Sequence, residues 1–129
     1  MFSEERARGQ DSDPVFSERE TEYLGENMLG RIATSSPSGQ PHVVPVAYRF
    51  DGQSIIFGGW NLEKSLKFKN LVANNKVAFV VDEIVSTHPW KVKGLEVRGA
   101  AEPYRVDGVV TMVRIRPRSV RSWGLGDGT

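Results

Sequence analysis

The stretch GGWNLEKSLKFKNLVANNKVAFVVD, which runs from Gly58 to Asp82, contains most of the signals that decide the predicted fold. A strand over Ser54–Gly59 ends at the glycine pair, where the missing Cβ atoms permit unusual backbone angles or close approach of a ligand. A helix from Leu62 to Ala73 follows, and an asparagine pair ends it. The next segment, Lys76–Val81, is nearly all apolar, as expected of a buried central strand. Two strands and a helix therefore meet around one glycine turn.

The start of this helix is rich in lysine, with Lys64, Lys67 and Lys69 in its first turns. The helix dipole is positive at that end and normally favours acidic side chains. A bound anion would remove the conflict, because the free amides, the Ser65 hydroxyl and the Lys67 ammonium together suit a phosphate group. The alternative is a solvated lysine face on an amphipathic helix. We predict an anion-binding corner and keep the solvated face as the competing interpretation.

The length and composition limit the possible architectures and chemistries. A chain of 129 residues is long enough for one compact domain and too short for two ordinary ones. The absence of cysteine excludes disulfides, thiolate nucleophiles and thiolate metal sites. The two histidines, His42 and His88, form no HxxxH or HExxH pattern, so we expect no metal centre. Either histidine could contact a ring or substrate, and an exposed or capping role is the alternative.

The net charge of +1 conceals an asymmetry along the chain. Residues 1–29 carry eight acids against three bases, whereas residues 30–129 carry fourteen bases against eight acids. A basic body suits a phosphorylated ligand, but it lacks the dense basic stripe of a nucleic-acid-binding surface. No apolar run approaches the ~18 residues needed to span a bilayer, and the acidic N-terminal segment does not resemble a signal peptide. We expect a cytoplasmic protein with a small-molecule substrate and with no nucleic acid or membrane as partner.

The chain divides into an arm and one domain. Residues 1–14 are polar and lack apolar periodicity, which predicts a disordered arm. Residues 15–129 are predicted to form the folded domain. It begins with a short helix, which starts at the capping box Ser17-Glu18-Arg19-Glu20 and runs to about Asn27. We expect this helix to pack three side chains on the body: Tyr23, Leu24 and Met28.

Beyond this helix the apolar pattern has the period of strands. Besides the two strands already described, we predict strands at Arg31–Ser35, Pro41–Phe50, Val92–Ala101 and Val109–Ile115. We expect Ile84–Trp90 and Pro103–Gly108 to be connections and Pro117 to end the last strand. Gly94 and Gly99 indicate curvature of their strand. Six mostly antiparallel strands with two short flanking helices predict a mainly β barrel of the α+β kind.

Four segments, in order, resemble the FMN-binding split-barrel family typified by pyridoxamine 5′-phosphate oxidase. They are LGRIATSSPSGQPHVVPVAYRFDG, KSLKFKNLVANNKVAFVVDE, PWKVKGLEVRGAAE and IRPRSVRSWGL. The last two are most similar to the deazaflavin-dependent branch, whose members carry P-W, V-R-G and S-W-G-L motifs. The resemblance implies a homodimer of six-stranded split β-barrels with the coenzyme in a groove at the dimer interface.

The resemblance also implies roles for residues at the corner. In the oxidase a Ser-Arg-Lys segment reaches the FMN phosphate, and Ser65-Leu66-Lys67 stands at the matching position here. Lys67 is therefore implied to be the main phosphate ligand and Ser65 a second one. Gly59 and Lys69, in the same stretch, are grouped with them as coenzyme-binding residues.

The ring pocket is implied to involve a strand and two tryptophans. Pro45, Val46 and Ala47 would face the heterocycle through their backbone, and the alternative for Pro45 is an edge-strand proline. Trp60 follows the glycine pair, and Trp123 lies in the C-terminal segment that is implied to reach the coenzyme pocket. For each tryptophan the alternative is to cover apolar surface at a barrel rim.

The departures from the oxidase affect the expected coenzyme. Leu66 replaces the arginine of the phosphate segment. Val44 and Arg49 stand where the oxidase has an arginine and a lysine on its second strand, so one basic group is absent. The deazaflavin branch tolerates these changes, so we expect a coenzyme F420-dependent oxidoreductase that transfers hydride to a small organic substrate and needs no catalytic side chain. An FMN-dependent oxidoreductase and a non-catalytic flavin- or deazaflavin-binding protein are the alternatives.

Overall fold

The computed structural model describes residues 15–59 and 61–126, which form a closed barrel of six antiparallel strands. The elements are α1 (Glu18–Glu26), β1 (Leu29–Ser35), β2 (Pro41–Phe50), β3 (Ile55–Phe57), a 3₁₀ turn (Leu62–Lys64), α2 (Leu66–Ala73), β4 (Lys76–Thr87), β5 (Trp90–Val106) and β6 (Val109–Trp123). Neighbouring strands follow the order β1-β2-β3-β6-β5-β4 around the barrel. The predicted mainly β barrel with two flanking helices is confirmed.

The core fills the inside of the barrel. Alternate side chains point inward along each strand, as the two-residue period of a strand requires. The fully buried large side chains include Ile32, Phe57, Phe79, Leu95 and Ile115, each at most 1 % exposed. Burial of one such side chain contributes about 1.5–3 kcal/mol, so these positions fix which face of each strand points inward.

Helix α1 begins at the predicted capping box. The Ser17 hydroxyl accepts from the Glu20 amide at 3.1 Å, and the Glu20 carboxylate accepts from the Ser17 amide at 2.9 Å. Tyr23 and Leu24 are buried as expected, at 3 % and 1 % exposed. The prediction for Met28 is wrong, since its side chain is 73 % exposed. The helix ends at Glu26, so Met28 follows the geometry of the approach to β1 and not the buried helical face.

The segment Ile84–Trp90 is not the predicted connection. Strand β4 continues to Thr87, where it pairs with Trp90 in a hairpin, and a register shift lies between Ile84 and Ser86. The hairpin extends beyond the strand pairs that close the barrel, and Ile84 and Trp90 are 57 % and 64 % exposed. Because both faces of the hairpin are solvated, the sequence there lacks the alternation by which strands are predicted.

The β5–β6 hairpin also corrects two expectations. Pro103 pairs with Val113 inside the ladder, and the turn is confined to Asp107 and Gly108, which have φ angles of 53° and 80°. Pro117 lies within β6, opposite Gly99 at a register shift, and does not end the strand. A bulge accommodates a proline because the local ladder is already interrupted there.

Gly99 lies at this bulge for a steric reason. A Cβ atom at Gly99 would overlap the carbonyl oxygen of Arg116 on β6. A Cβ at Gly94, on the same strand, would lie 2.7 Å from the Trp123 indole. Both glycines therefore permit close approach between β5 and its neighbours, as curvature of the barrel requires.

Within the described ranges, no helix is both long and apolar enough to cross a membrane.

Candidate functional site

The predicted anion-binding corner lies where β3 leaves the barrel and α2 begins. The expected single helix is divided into the 3₁₀ turn and α2, and Ser65 stands between them as the N-cap of α2. The Ser65 hydroxyl donates to the Leu62 carbonyl at 2.6 Å and accepts from the Phe68 amide at 3.2 Å. Its one proton is therefore already used, and the hydroxyl would donate to an anion only by leaving Leu62.

The start of α2 carries uncompensated positive charge. Its first turn contains no acidic residue, and neither Lys67 nor Lys69 makes an ion pair with any described residue. The amides of Leu66 and Lys67 precede the first intrahelical bond and donate to no group of the described chain. Two free amides and one partly exposed ammonium group thus fit an oxyanion, which supports the predicted role of Lys67.

The hydrogen-bond pattern of β2 explains the position of Pro45. The Tyr48 amide donates to the Met28 carbonyl at 2.8 Å, which makes Tyr48 and Met28 a hydrogen-bonded pair. Bonded and non-bonded pairs alternate along an antiparallel ladder, so Pro45 and its partner Arg31 form a non-bonded pair. The imide nitrogen of Pro45 therefore faces away from β1, where no ladder bond is lost.

The same alternation separates Val46 from Ala47. Val46 is opposite Gly30 in a hydrogen-bonded pair and is 6 % exposed. Its backbone groups therefore bond to β1, and its side chain packs in the core. Ala47 is exposed, and its amide and carbonyl point away from β1, as those of Pro45 would. Of the three residues predicted to face a ring, Pro45 and Ala47 present free backbone groups at this edge.

Beside these groups the wall of the barrel has a gap, because the pairing between β2 and β3 is short. The ladder between β2 and β3 ends at Tyr48 and Phe57, and no described strand pairs with this edge of β2 over residues 41–47. Ala47 and Gly58 are the first unpaired residues on the two sides of the opening. A groove of about 240 Å³ begins there and is lined by Ala47, Tyr48, Arg49, Ile56, Phe57, Gly58, Thr111 and Met112. We call it the β2–β3 groove.

The titratable groups of the β2–β3 groove are a cation and a neutral phenol. The Tyr48 hydroxyl donates to the Leu24 carbonyl at 2.7 Å, and burial raises the pKa of Tyr48 to about 12. Arg49 is exposed, and among the described residues no aspartate, glutamate or histidine lines the groove. The groove thus offers positive charge and apolar surface to a ligand.

The two tryptophans predicted at the coenzyme are not both placed at the opening. Trp60 lies outside the described residues, and its role stays a prediction. Trp123 is opposite Gly94 in β5, whereas Ala47 is opposite Leu29 in β1. Trp123 also lies ten residues along β6 from Val113, which pairs with Phe57 at the opening, and it does not line the β2–β3 groove, so its predicted role stays a prediction. Gly59 adjoins the opening, and a Cβ there would have no neighbour within 4 Å.

A second cavity lies on the outer face of β1, β4 and β5. Its volume is about 510 Å³, and it is lined by Ala33, Thr34, Ser35, Asn75, Lys76, Val77, Ala78, Arg98, Gly99, Ala100 and Arg118. It contains none of the residues predicted to bind a coenzyme. Three bases from three segments meet there, a grouping that depends on strand register and is not visible in sequence spacing.

The histidines contribute little at the opening. His42 lies on β2 with its Nδ1 atom buried and without a hydrogen-bond partner in the described chain. His88 lies at the β4–β5 turn, where its Nδ1 contacts the Thr87 hydroxyl at 3.1 Å. Neither lines the groove.

Comparison with known proteins identifies relatives of this chain. The family model described as pyridoxamine 5′-phosphate oxidase matches residues 16–124. A 5a,11a-dehydrotetracycline/5a,11a-dehydrooxytetracycline reductase from Streptomyces rimosus is 34 % identical over 119 residues, which cover 85 % of this chain and 84 % of that protein.

Solved structures share the fold. A conserved hypothetical protein from Mycobacterium tuberculosis has a TM-score of 0.70 at 25 % identity, with 92 % of this chain and 91 % of that chain covered. An F420 reductase has a TM-score of 0.60 at 24 % identity, over 77 % of this chain and 94 % of that one. A FAD-binding protein from Mesorhizobium loti has a TM-score of 0.66 at 23 % identity, over 79 % and 87 %.

Proposed function

The chain belongs to the pyridoxamine 5′-phosphate oxidase family, and from this premise we propose that it is a coenzyme F420-dependent reductase of a small conjugated organic molecule. The observation that carries the proposal is the uncompensated positive charge at the start of α2, and the free backbone edge of β2 is the second feature that supports it. The activity of the Streptomyces rimosus relative, a reductase, supports the same class of reaction.

The start of α2 would hold the phosphate of the coenzyme. The amides of Leu66 and Lys67 are free to donate, and the Lys67 ammonium adds a charge-assisted bond. Lys69 is exposed one turn further along and would add to the positive potential. Ser65 would act mainly by capping α2, which keeps the two free amides in place.

The free edge of β2 would form the wall beside the ring. Pro45 and Ala47 present carbonyl oxygens there, and Ala47 also presents an amide, so the edge can accept and donate hydrogen bonds to a heterocycle. Pro45 offers no competing N–H at this edge. Gly59 leaves open space where the chain turns toward α2.

The chemistry is a hydride transfer to a conjugated double bond. The reduced coenzyme, when bound, supplies the hydride. The substrate carbon takes the hydride, the electron pair of the double bond moves to the conjugated carbonyl oxygen, and water supplies the proton that completes the product. The chain is then required to orient the substrate and to keep water from the coenzyme ring until the hydride has been transferred.

A second copy of the chain would cover the site. The outer face of β1 and β2 exposes Leu29 and Val43, which are 59 % and 61 % exposed, beside the open edge. Burial of these side chains in a homodimer would remove apolar surface from water and close the opening from outside. A homodimer would also offer Trp123 of the partner subunit as a further contact of the coenzyme.

FMN is the second candidate coenzyme, because the four sequence segments resemble the FMN-binding split-barrel family. The position of Leu66 argues against it, because an apolar side chain occupies the place of an arginine in the phosphate segment. The two coenzymes are separated by titration of the purified protein with oxidised F420 and with FMN, followed by quenching of tryptophan emission. Tighter binding of F420, together with oxidation of reduced F420 by 5a,11a-dehydrotetracycline, is the expected result. Preference for FMN would replace the coenzyme, and binding without turnover would leave a carrier protein.

A further inference from the structure

We propose that the β2–β3 groove is the substrate site of this reductase and that Arg49 makes it selective for flat conjugated molecules carrying an ionised oxygen. This inference rests on the proposed function for the reaction. The assignment of the groove rests on its own shape, position and charge.

The groove has a flat, apolar floor. Ile56 is 6 % exposed and forms the floor between Arg49 on β2 and Arg114 on β6, with which it pairs. At Gly58 a Cβ atom would lie 3.2 Å from the Thr111 carbonyl oxygen, so the floor is low where the side chain is missing. Met112 forms the opposite wall. A shallow apolar surface of this kind suits a planar ring system better than a branched or flexible chain.

The apolar surface continues beyond the groove onto the β5–β6 hairpin. Tyr104 is opposite Met112 and is 46 % exposed. Val106 and Val109 pair near the tip and are 58 % and 54 % exposed. A substrate larger than the groove would therefore extend along the hairpin over apolar side chains.

Arg49 is the uncompensated charge of this surface. The acidic residues nearest to Arg49 in the strand register form ion pairs with other arginines. Asp51 pairs with Arg114 at 3.1 Å. Glu102 pairs with Arg116 at 2.8 Å. Arg49 makes no ion pair or hydrogen bond with any described residue. An anion on the ligand would supply the missing partner, and a guanidinium group is well suited to an enolate or phenolate oxygen.

The position of Arg49 orients such a ligand toward the reaction centre. Arg49 and Ala47 point to the same face of β2 and lie about 7 Å apart along the strand. That separation matches the length of two fused six-membered rings. A ligand whose ionised oxygen meets Arg49 would place its far ring at Ala47 and Gly58, beside the proposed coenzyme ring.

Two quinones of nearly the same shape test the selectivity. The first is 2-hydroxy-1,4-naphthoquinone, which is ionised at neutral pH, and the second is its neutral 2-methoxy analogue. Each is titrated calorimetrically into the coenzyme-free protein, into Arg49→Gln and Arg49→Lys, and into the control Arg118→Gln, which alters the second cavity. We expect the wild type and the control to bind the hydroxyquinone about tenfold more tightly than the methoxyquinone. Arg49→Gln should lose this preference and Arg49→Lys should keep part of it.

Three results would overturn the proposal: equal affinity of the wild type for the two quinones, no binding of either, or an equal loss of preference in Arg118→Gln. The affinity for oxidised F420 then adds an independent readout, and Arg49→Gln should leave it unchanged. Failure of the wild type to bind F420 would refute the proposed function, whereas the quinone titrations would still decide the assignment of the groove.

Discussion

The guanidinium of Arg114 donates to the carboxylate of Asp51 over 3.1 Å, a contact between residues 63 positions apart that ties the β2–β3 turn to the last strand. The same guanidinium donates to the Ser54 hydroxyl at 3.0 Å and to the Tyr104 hydroxyl at 3.2 Å. Asp51 also accepts from the amides of Gln53 and Ser54, at 2.9 and 2.8 Å. This cluster fixes the β2–β3 turn against β5 and β6, and it leaves Arg49 without an acidic partner within residues 15–59 and 61–126.

Asp51 should make stability depend on pH. Burial raises its pKa, but the hydrogen bonds from Gln53 and Ser54 and the charge of Arg114 outweigh burial and hold the pKa below its ordinary value. Because the folded pKa is the lower one, the stabilisation is fully present above the unfolded pKa of about 3.9 and is lost as the pH falls through the folded pKa.

We therefore expect Asp51→Asn to lower the free energy of unfolding by about 1 kcal/mol at pH 7, with partial exposure of the pair keeping the effect small. The difference from the wild type should shrink as the pH falls below about 4. Urea unfolding at several pH values measures it. Glu102→Gln, which alters a more exposed ion pair, is the control and should change stability less. A difference that stays constant down to acid pH would contradict the prediction.

Lys67 should contribute to coenzyme binding and not to folding. It makes no contact with an acidic group of the described chain, so Lys67→Ala should leave the unfolding midpoint nearly unchanged. Loss of a charge-assisted bond to phosphate should weaken F420 binding by about 1.5–3 kcal/mol. Fluorescence titration measures the affinity, and Lys76→Ala, a lysine of the second cavity, is the matched control. Equal weakening by the two substitutions would indicate a general effect of net charge, and no weakening by Lys67→Ala would remove the anion-binding corner.

The close approach of β5 and β6 should make Gly99 intolerant of a side chain. A Cβ at this position would meet backbone atoms of Arg116, which a rotamer change does not move away. We expect Gly99→Ala to destabilise the fold by at least ~3 kcal/mol or to prevent folding. Gly25→Ala is the control, because it lies in α1 with no atom within 4 Å of the added Cβ and should stabilise by about 0.5–1 kcal/mol. Thermal unfolding of the two variants decides the matter, and similar melting temperatures would show that the bulge adapts.

Features that depend on interactions between residues close in sequence were predicted correctly, and features that depend on distant residues were not. The capping box at Ser17 and the strand Pro41–Phe50 were predictable, since each depends on neighbours within a few residues. The ends of β4 and β5 were not, because the residues up to Trp90 pair outside the barrel and are exposed on both faces.

The candidate site divides in the same way. Lys67 could be proposed from a local conflict between charge and helix dipole, and no acidic residue of the first turn of α2 relieves that conflict. The lack of an ion-pair partner for Arg49 among the described residues could not be predicted from the sequence. It depends on the ion pair between Asp51 and Arg114, which are 63 positions apart. The position of Trp123, ten residues along β6 from the opening at Val113, likewise follows from long-range strand pairing.

The alternation of hydrogen bonds along β2 predicts opposite responses at two neighbouring positions. Pro45 occupies a non-bonded pair with β1, so Pro45→Ala adds an N–H that points to the open edge and breaks no ladder bond. Its free energy of unfolding should change by less than ~1 kcal/mol. Val46 occupies a bonded pair, so Val46→Pro removes a ladder bond and a buried side chain and should cost ~3 kcal/mol or more. Coenzyme affinity should change in Pro45→Ala, because the new donor faces the proposed ring position. Urea unfolding and F420 titration of the two variants measure both effects, and a strongly destabilised Pro45→Ala would place the free edge of β2 on the other side of the strand.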